Sequence, residues 1–138
     1  MNQENEAKAQ EIYSEFQMLD QNIKHIQKQL ESLTQQIIEM TSTTNGLDDL
    51  KKAEVGSEVL VPISSGIFAK ASLKETNELL VNVGANVVVS KDIDSTKKLI
   101  ETQIDSMKKM HKDLVMNLEE MTHKAGSLEM QMQSMMQQ

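Results

Sequence analysis

Apolar side chains recur in alternating steps of four and three along both ends of this chain, and that spacing constrains its fold more than any other feature. The first series runs Ile12, Phe16, Leu19, Ile23, Ile26, Leu30, Leu33, Ile37 and Met40. The second runs Ile100, Ile104, Met107, His111, Leu114, Leu118, Met121, Ala125, Leu128, Met132 and Met135, with His111 as its one polar break. A repeat averaging about 3.5 residues keeps a narrow stripe facing one partner helix as both supercoil, so each series is a coiled-coil seam rather than the broader face of a surface helix. The two heptad phases complement each other in an antiparallel pair. Ile12 then falls opposite Met132, Ile26 opposite Leu118, Leu33 opposite His111, Thr44 opposite Ile100 and Lys51 opposite Ile93. Heptad phase alone also allows a slip of one heptad, so this register rests on the connecting segment holding the two helix roots level. The expectation is one intramolecular hairpin of helices, whose arm of some 45 residues would reach roughly 65 to 70 Å at about 1.5 Å per residue.

Little else in the 138 residues would support a compact core, since aromatic residues make up only 2% of them. The chain is therefore expected to be one elongated subunit. Cysteine is absent, which excludes disulfides, thiolate metal sites and cysteine nucleophiles and makes a reducing compartment its natural home. The start, MNQENEAKAQ, lacks the basic region and apolar stretch of a signal peptide, and nowhere do about 18 apolar residues run together. A soluble, cytoplasmic protein is expected. A net charge of −7 repels phosphate backbones and anionic headgroups, so neither nucleic acid nor membrane is an expected partner.

The first helix is expected over residues 1–52. Its weak stretch, Thr41 to Gly46, costs several tenths of a kcal/mol per Thr and about 1 kcal/mol for the glycine. The heptad steps survive there through Met40, Thr44 and Leu47, so the helix should be continuous. Lys51 and Lys52 suit its carbonyl end, and Gly56 breaks it. Over 53–91 the period changes from 3.5 to 2, with β-branched runs punctuated by Gly, Ser and Asn. Four strands fit, Glu58 to Ile63, Ile67 to Leu73, Glu78 to Val83 and Val87 to Lys91, joined as two hairpins by turns at Ser64, Ser65, Gly66 and at Gly84, Ala85, Asn86. Pro62 belongs at an edge or strand end, where no ladder bond is needed. The second helix, 92–138, is capped by Ser90 or Asp92, with Asp94 in its first turn.

Two hairpins of this length cannot cover their own apolar side chains. Val59, Val61, Ile63 and Phe68 in the first, with Leu79, Val81, Val83, Val87 and Val89 in the second, ask for more cover than the segment contains. Isolated hairpins are marginal in water and their edges invite other strands. These residues are the expected oligomerisation module, joining several chains through a sheet or barrel.

A long helix, two hairpins and a long antiparallel helix resemble the alpha subunits of the prefoldin family. The likeness spans nearly the whole chain and is sharpest from Val59 to Lys91, in VLVPISSGIFAKASLKETNELLVNVGANVVVSK. The Val-Pro before a Gly turn, the Phe and Lys of the second strand, and Val-Asn-Val-Gly before an aliphatic fourth strand resemble that family's hairpins. Two hairpins rather than one favour alpha over beta. Ser64 and Ser65 depart from a more Gly-rich turn, Asn86 stands where the family commonly has Gly, and the tail is unusually rich in Met. The resemblance implies an α+β fold, a long antiparallel two-helix coiled coil with two central β-hairpins that complete a β-barrel in the oligomer. It implies a hexamer in which two alpha subunits join four beta subunits, with six arms that capture unfolded client proteins at their tips. Clients then pass to a group II chaperonin without ATP.

The tail supplies the chemistry for such a tip. MQMQSMMQQ, residues 130–138, holds four methionines. Met132 and Met135 continue the seam, whereas Met130 and Met136 fall away from the partner helix; the stretch as a whole faces the start of the first helix, where Ala9, Ile12, Tyr13 and Phe16 lie. Methionine is flexible and polarisable and so adapts to many shapes. Burying one stabilises by roughly 1.5 to 3 kcal/mol before ordering costs, so several arms must act together. The expected client-binding tip is residues 1–16 with 126–138, carried by Ile12, Tyr13, Phe16, Leu128, Met130, Met132, Met135 and Met136. Composition alone would let these ends fray as an inert terminus; the resemblance favours binding.

No other constellation suggests chemistry. His25, His111 and His123 lie on different helix faces without metal-ligand spacing, and His111 opposite Leu33 is better explained as a polar break that fixes register. Asp48 with Asp49, and Glu119 with Glu120, diverge by about 100° on a helix and cannot share a substrate. Gly66 and Gly84 lack the Lys and Ser/Thr of a phosphate loop. No nucleophile has a base, so neither an enzyme nor any cofactor is expected. The competing expectation is a coiled-coil scaffold, or a prefoldin-like assembly subunit that no longer handles clients.

Overall fold

The computed structural model describes residues 3–137. Met1, Asn2 and Gln138, which the expected helix spans and tip segments include, lie outside the described residues. The elements follow one another as α1 (Gln3–Lys52), β1 (Glu58–Ser64), β2 (Ile67–Ser72), β3 (Glu78–Asn82), β4 (Val88–Asp92) and α2 (Ile93–Met136). Strands β1 and β2 form one antiparallel sheet and β3 and β4 another.

Helix α1 runs its 50 residues without interruption through Thr41–Gly46. The weak formers there have other work. Thr43 Oγ1 donates to the Glu39 carbonyl at 2.9 Å and Thr44 Oγ1 to the Thr41 carbonyl at 2.7 Å, so neither hydroxyl competes for a backbone bond in a non-helical form. Thr44 is buried on the seam. Lys51 and Lys52 occupy the last turn, and Gly56, at φ 92°, turns the chain out of the helix into a conformation that costs glycine little.

The chain divides into two compact units. One pairs α1 up to Ile37 with α2 from Met107 onward. Its burial follows the heptad: Ile26, Leu33 and Leu128 are buried, and Ile12, Phe16, Leu19, Ile23, Leu30, Ile37, Met107, His111, Leu114, Leu118, Met121, Ala125, Met132 and Met135 are half-buried. The register is the expected one. Leu33 shares a shallow groove with Met110 and Leu114, which bracket His111, and Ile12 shares another with Gln131, Ser134 and Met135, which bracket Met132. A slip of one heptad would take Leu33 beside Ile104 or Leu118 instead. An ion pair of 3.6 Å joins Lys124 to Glu15 across the two helices.

The other unit, Ile38–Ser106, holds the helix roots and the hairpins. Thr44, Ile93, Thr96 and Ile104 are buried here. Lys97 Nζ donates to Asp48 Oδ1 at 2.9 Å and to Oδ2 at 3.2 Å, and Lys51 Nζ donates to Asp94 Oδ1 at 2.9 Å. These pairs join the two roots, and Lys51 reaches Asp94, the residue that follows the Ile93 the heptads set opposite it.

The strand ends differ from the sequence expectation by one residue each, for local reasons. Pro62 pairs with Phe68 but Ser64 pairs with Ile67, so Ile63 is one extra residue in β1. This bulge draws Ser64 into the strand and leaves a two-residue loop, Ser65–Gly66, with Gly66 at φ 79°. Leu73 leaves β2 because its partners lie in the connection from α1: it donates to the Ser57 carbonyl at 2.8 Å and accepts from the Gly56 N–H at 2.6 Å. In the second hairpin Asn82 Oδ1 accepts the Gly84 N–H at 2.9 Å, ending β3 in an Asx turn. Ala85 and Asn86 follow at φ 50° and 61°, and the Val87 N–H closes the turn on the Gly84 carbonyl at 2.9 Å. Two successive left-handed residues are the signature of a type I′ turn, whose twist matches that of paired strands. Of the two candidate caps for α2, Asp92 serves: its Oδ1 accepts the Ser95 N–H at 2.6 Å. Ser90 stays in β4 and bonds the Glu78 carboxylate.

Candidate functional site

Two surfaces expose more apolar area than their own unit covers. The first is the end of the helix pair. Here the heptad places Ile12, Phe16, Leu128, Met132 and Met135 in the seam, with Leu128 buried and the others half-buried. Tyr13 is 55% exposed, Met130 72% and Met136 80%. The expected tip residues thus divide into a seam set, which closes the helix pair, and an open set of three. Between the helix ends lies a groove of about 560 Å³ that places Ile12 and Met135 among Asn5, Lys8, Glu11 and Glu15.

The second surface is the pair of hairpins. Val61, Ile63, Phe68, Val83 and Val87 are exposed. Val59, Leu79, Val81 and Val89 are half-buried, so they are partly covered within their own unit. Sequence reasoning did not single out Leu60, Ile67, Leu80 and Val88, all of which are exposed. Leu60 pairs with Lys70 and Leu80 with Ser90 across their sheets. The missing signal was available in the runs Val59-Leu60-Val61 and Leu79-Leu80-Val81: where consecutive residues are apolar, strand alternation puts apolar groups on both faces. Each hairpin therefore presents apolar side chains on both sides.

Electrostatics act at the root of the helices. Hydrogen bonds from Ser95 hold the Asp92 carboxyl below its ordinary value, with Lys91 and Lys98 adding a smaller pull. The hydrogen bond to Asp48, and then the Asp48 charge, hold the Lys97 ammonium above its ordinary value. Asp92 caps α2 through Ser95, and Lys97 ties α2 to Asp48 of α1. Among the described residues no group of three or more His, Asp or Glu side chains lies together where a metal ion could bind, and no helix is long and apolar enough to cross a membrane.

Comparison with known proteins places this arrangement. Residues 19–138 match the family described as Prefoldin subunit. "Prefoldin subunit alpha" of Methanobrevibacter smithii is 30% identical over 128 residues, covering 93% of this chain and 87% of the relative. "Prefoldin subunit alpha 1" of Thermococcus kodakarensis is 31% identical over 101 residues, covering 73% of this chain and 69% of the relative. Among solved structures, a chain of the filamentous PFD of Methanocaldococcus jannaschii superposes with a TM-score of 0.74 at 21% identity, over 82% of this chain and 93% of that one.

Proposed function

Because this chain belongs to the prefoldin family, which is a family of chaperones and not of enzymes, we propose that it is an alpha-type subunit of an ATP-independent holdase. In this reading two such subunits and four beta subunits join through the hairpins, and the helix tips capture unfolded client proteins for delivery to a group II chaperonin in the cytosol. The observation that carries the reading is the open apolar set at the helix ends, Tyr13, Met130 and Met136. A scaffold would close its ends with charged residues; apolar groups left in water at the end of a helix pair mark a surface that binds. The exposed faces of both hairpins support the assembly half of the reading, since two-stranded sheets with apolar groups on both sides need neighbours to cover them.

Capture by one tip is weak. Each buried methionine contributes roughly 1.5 to 3 kcal/mol before the ordering of client and side chain is subtracted. Several tips on one client multiply that through effective concentration, and a chain held this way is released by exchanging contacts rather than by nucleotide hydrolysis. Deleting residues 1–16 together with 126–138 is expected to abolish suppression of client aggregation while native mass measurement still finds the complete assembly. A truncate that protects clients as well as the full chain would refute the tip assignment.

A further inference from the structure

Residues 130–138 contain only Met, Gln and Ser. Every apolar group of the tail is therefore a thioether, including Met132 and Met135 at seam positions that Leu would fill as well. Cysteine is absent from the whole chain, so methionine carries all of its oxidisable sulfur. Exposure of the methionines is graded. Met136 and Met130, at 80% and 72%, are the most open of the described methionines; Met18, Met110 and Met116 follow at 63%, 56% and 54%; Met40, Met107, Met121, Met132 and Met135 are half-buried in the seam.

We infer that Met130 and Met136 are modification sites whose oxidation by hydroperoxides switches client capture off. The Sδ lone pair attacks the terminal peroxide oxygen, the O–O bond breaks, and the oxygen stays on sulfur as a sulfoxide. The other peroxide oxygen leaves with the proton as water or an alcohol, so sulfur loses two electrons and the peroxide gains them. A sulfoxide is polar and accepts hydrogen bonds from water, which turns the adaptable apolar contact into one that favours solvent. The change is reversible, because sulfoxide reductases restore the thioether. The inference rests on the assignment of the tip as the client-binding surface, and it names how that surface is regulated.

The full chain, assembled with its beta partner, is treated with hydrogen peroxide, mapped by peptide mass and assayed for suppression of client aggregation. Sulfoxide is expected first at Met136 and Met130, and the concentration needed for protection should rise about tenfold, as loss of a contact on both alpha-type arms requires. A methionine sulfoxide reductase should reverse both changes. In the M130L/M136L assembly, protection after peroxide is compared with that variant's own untreated level and should change less than twofold by the same reasoning. Complete sulfoxide at both positions with undiminished protection overturns the inference, as does earlier oxidation at Met18, Met110 or Met116. The deletion of 126–138 separates the two readings: if it abolishes protection while sulfoxide does not, only the oxidation inference fails, and if it changes nothing, the tip assignment fails with it.

Discussion

At Ala85 the backbone sits at φ 50°, a conformation that crowds Cβ against the following carbonyl and costs an L-residue roughly 1 to 2 kcal/mol. Glycine there escapes the crowding but loses more entropy on folding, so Ala85→Gly should stabilise the assembly by about 0.5 to 1 kcal/mol, read as a rise in thermal midpoint. Ala85→Val should lower it. Gly84 and Asn86 announced this turn in the sequence; Ala85 did not, because alanine carries no turn signal and its strain is imposed by the closing bond from Val87. Asp92 is a second case. Its ordinary value is 3.8 and its folded value is lower, so its contribution is present above about 3.8 and disappears as pH falls through the folded value. Acid titration followed by circular dichroism should show α2 weakening in that window in the wild type, and no such step in Asp92→Asn, which keeps a capping oxygen without a charge. Lys97 acts at the other extreme. Because its folded value is raised, its contact with Asp48 contributes below 10.5 and is lost as pH rises through the folded value.

Among the elements, the two helices were the most legible. The alternation of four and three steps named the buried positions Ile26, Leu33, Thr44, Ile104 and Leu128, since helix pairing acts through that one stripe, but it did not name Thr96, which is buried beside the stripe near the helix root. Leu33, buried, lies within the stripe, and Ile38, exposed, lies outside it. Leu33→Ala should cost about 2 to 4 kcal/mol in thermal or denaturant unfolding through the cavity it leaves, whereas Ile38→Ala should stay within about 0.5 kcal/mol. Equal losses from the two would show that the seam is not where the heptad puts it. The strands were read less fully. A period of two locates a strand but does not register an inserted residue, so the bulge at Ile63 was invisible. Nor does it choose a face when both are apolar, which is why Leu60 and Leu80 were overlooked beside Val59 and Leu79.

For the molecule as a whole, the fold class followed from sequence because each segment has a single period, 3.5 or 2, and a sharp change between them. The use of its surfaces was less legible, because an exposed Leu in a hairpin becomes informative only when the register shows that nothing in the same chain covers it. The assembly offers the direct check. The double variant L60K/L80K places two charges where neighbouring subunits are expected to bury leucine, each substitution forfeiting roughly 1.5 to 3 kcal/mol of apolar contact per interface before the charge is counted. Native mass should fall from the complete assembly to free subunits, with helix content by circular dichroism nearly unchanged. An intact assembly in that variant would remove these residues from the interface.

The ion pairs beside the hairpins have one more consequence. Lys97 and Asp48 are separated by 49 residues, among them four strands that pair locally, whereas Glu15 and Lys124 enclose far more chain. Loop-closure entropy therefore favours contact beside the strands first, with each later turn of helix joining an already aligned neighbour. Folding then proceeds like the closing of a zip from its fixed end. The methionines and their opposite residues, which the proposed function sets against client chains, are then the last teeth to mesh and the first to part.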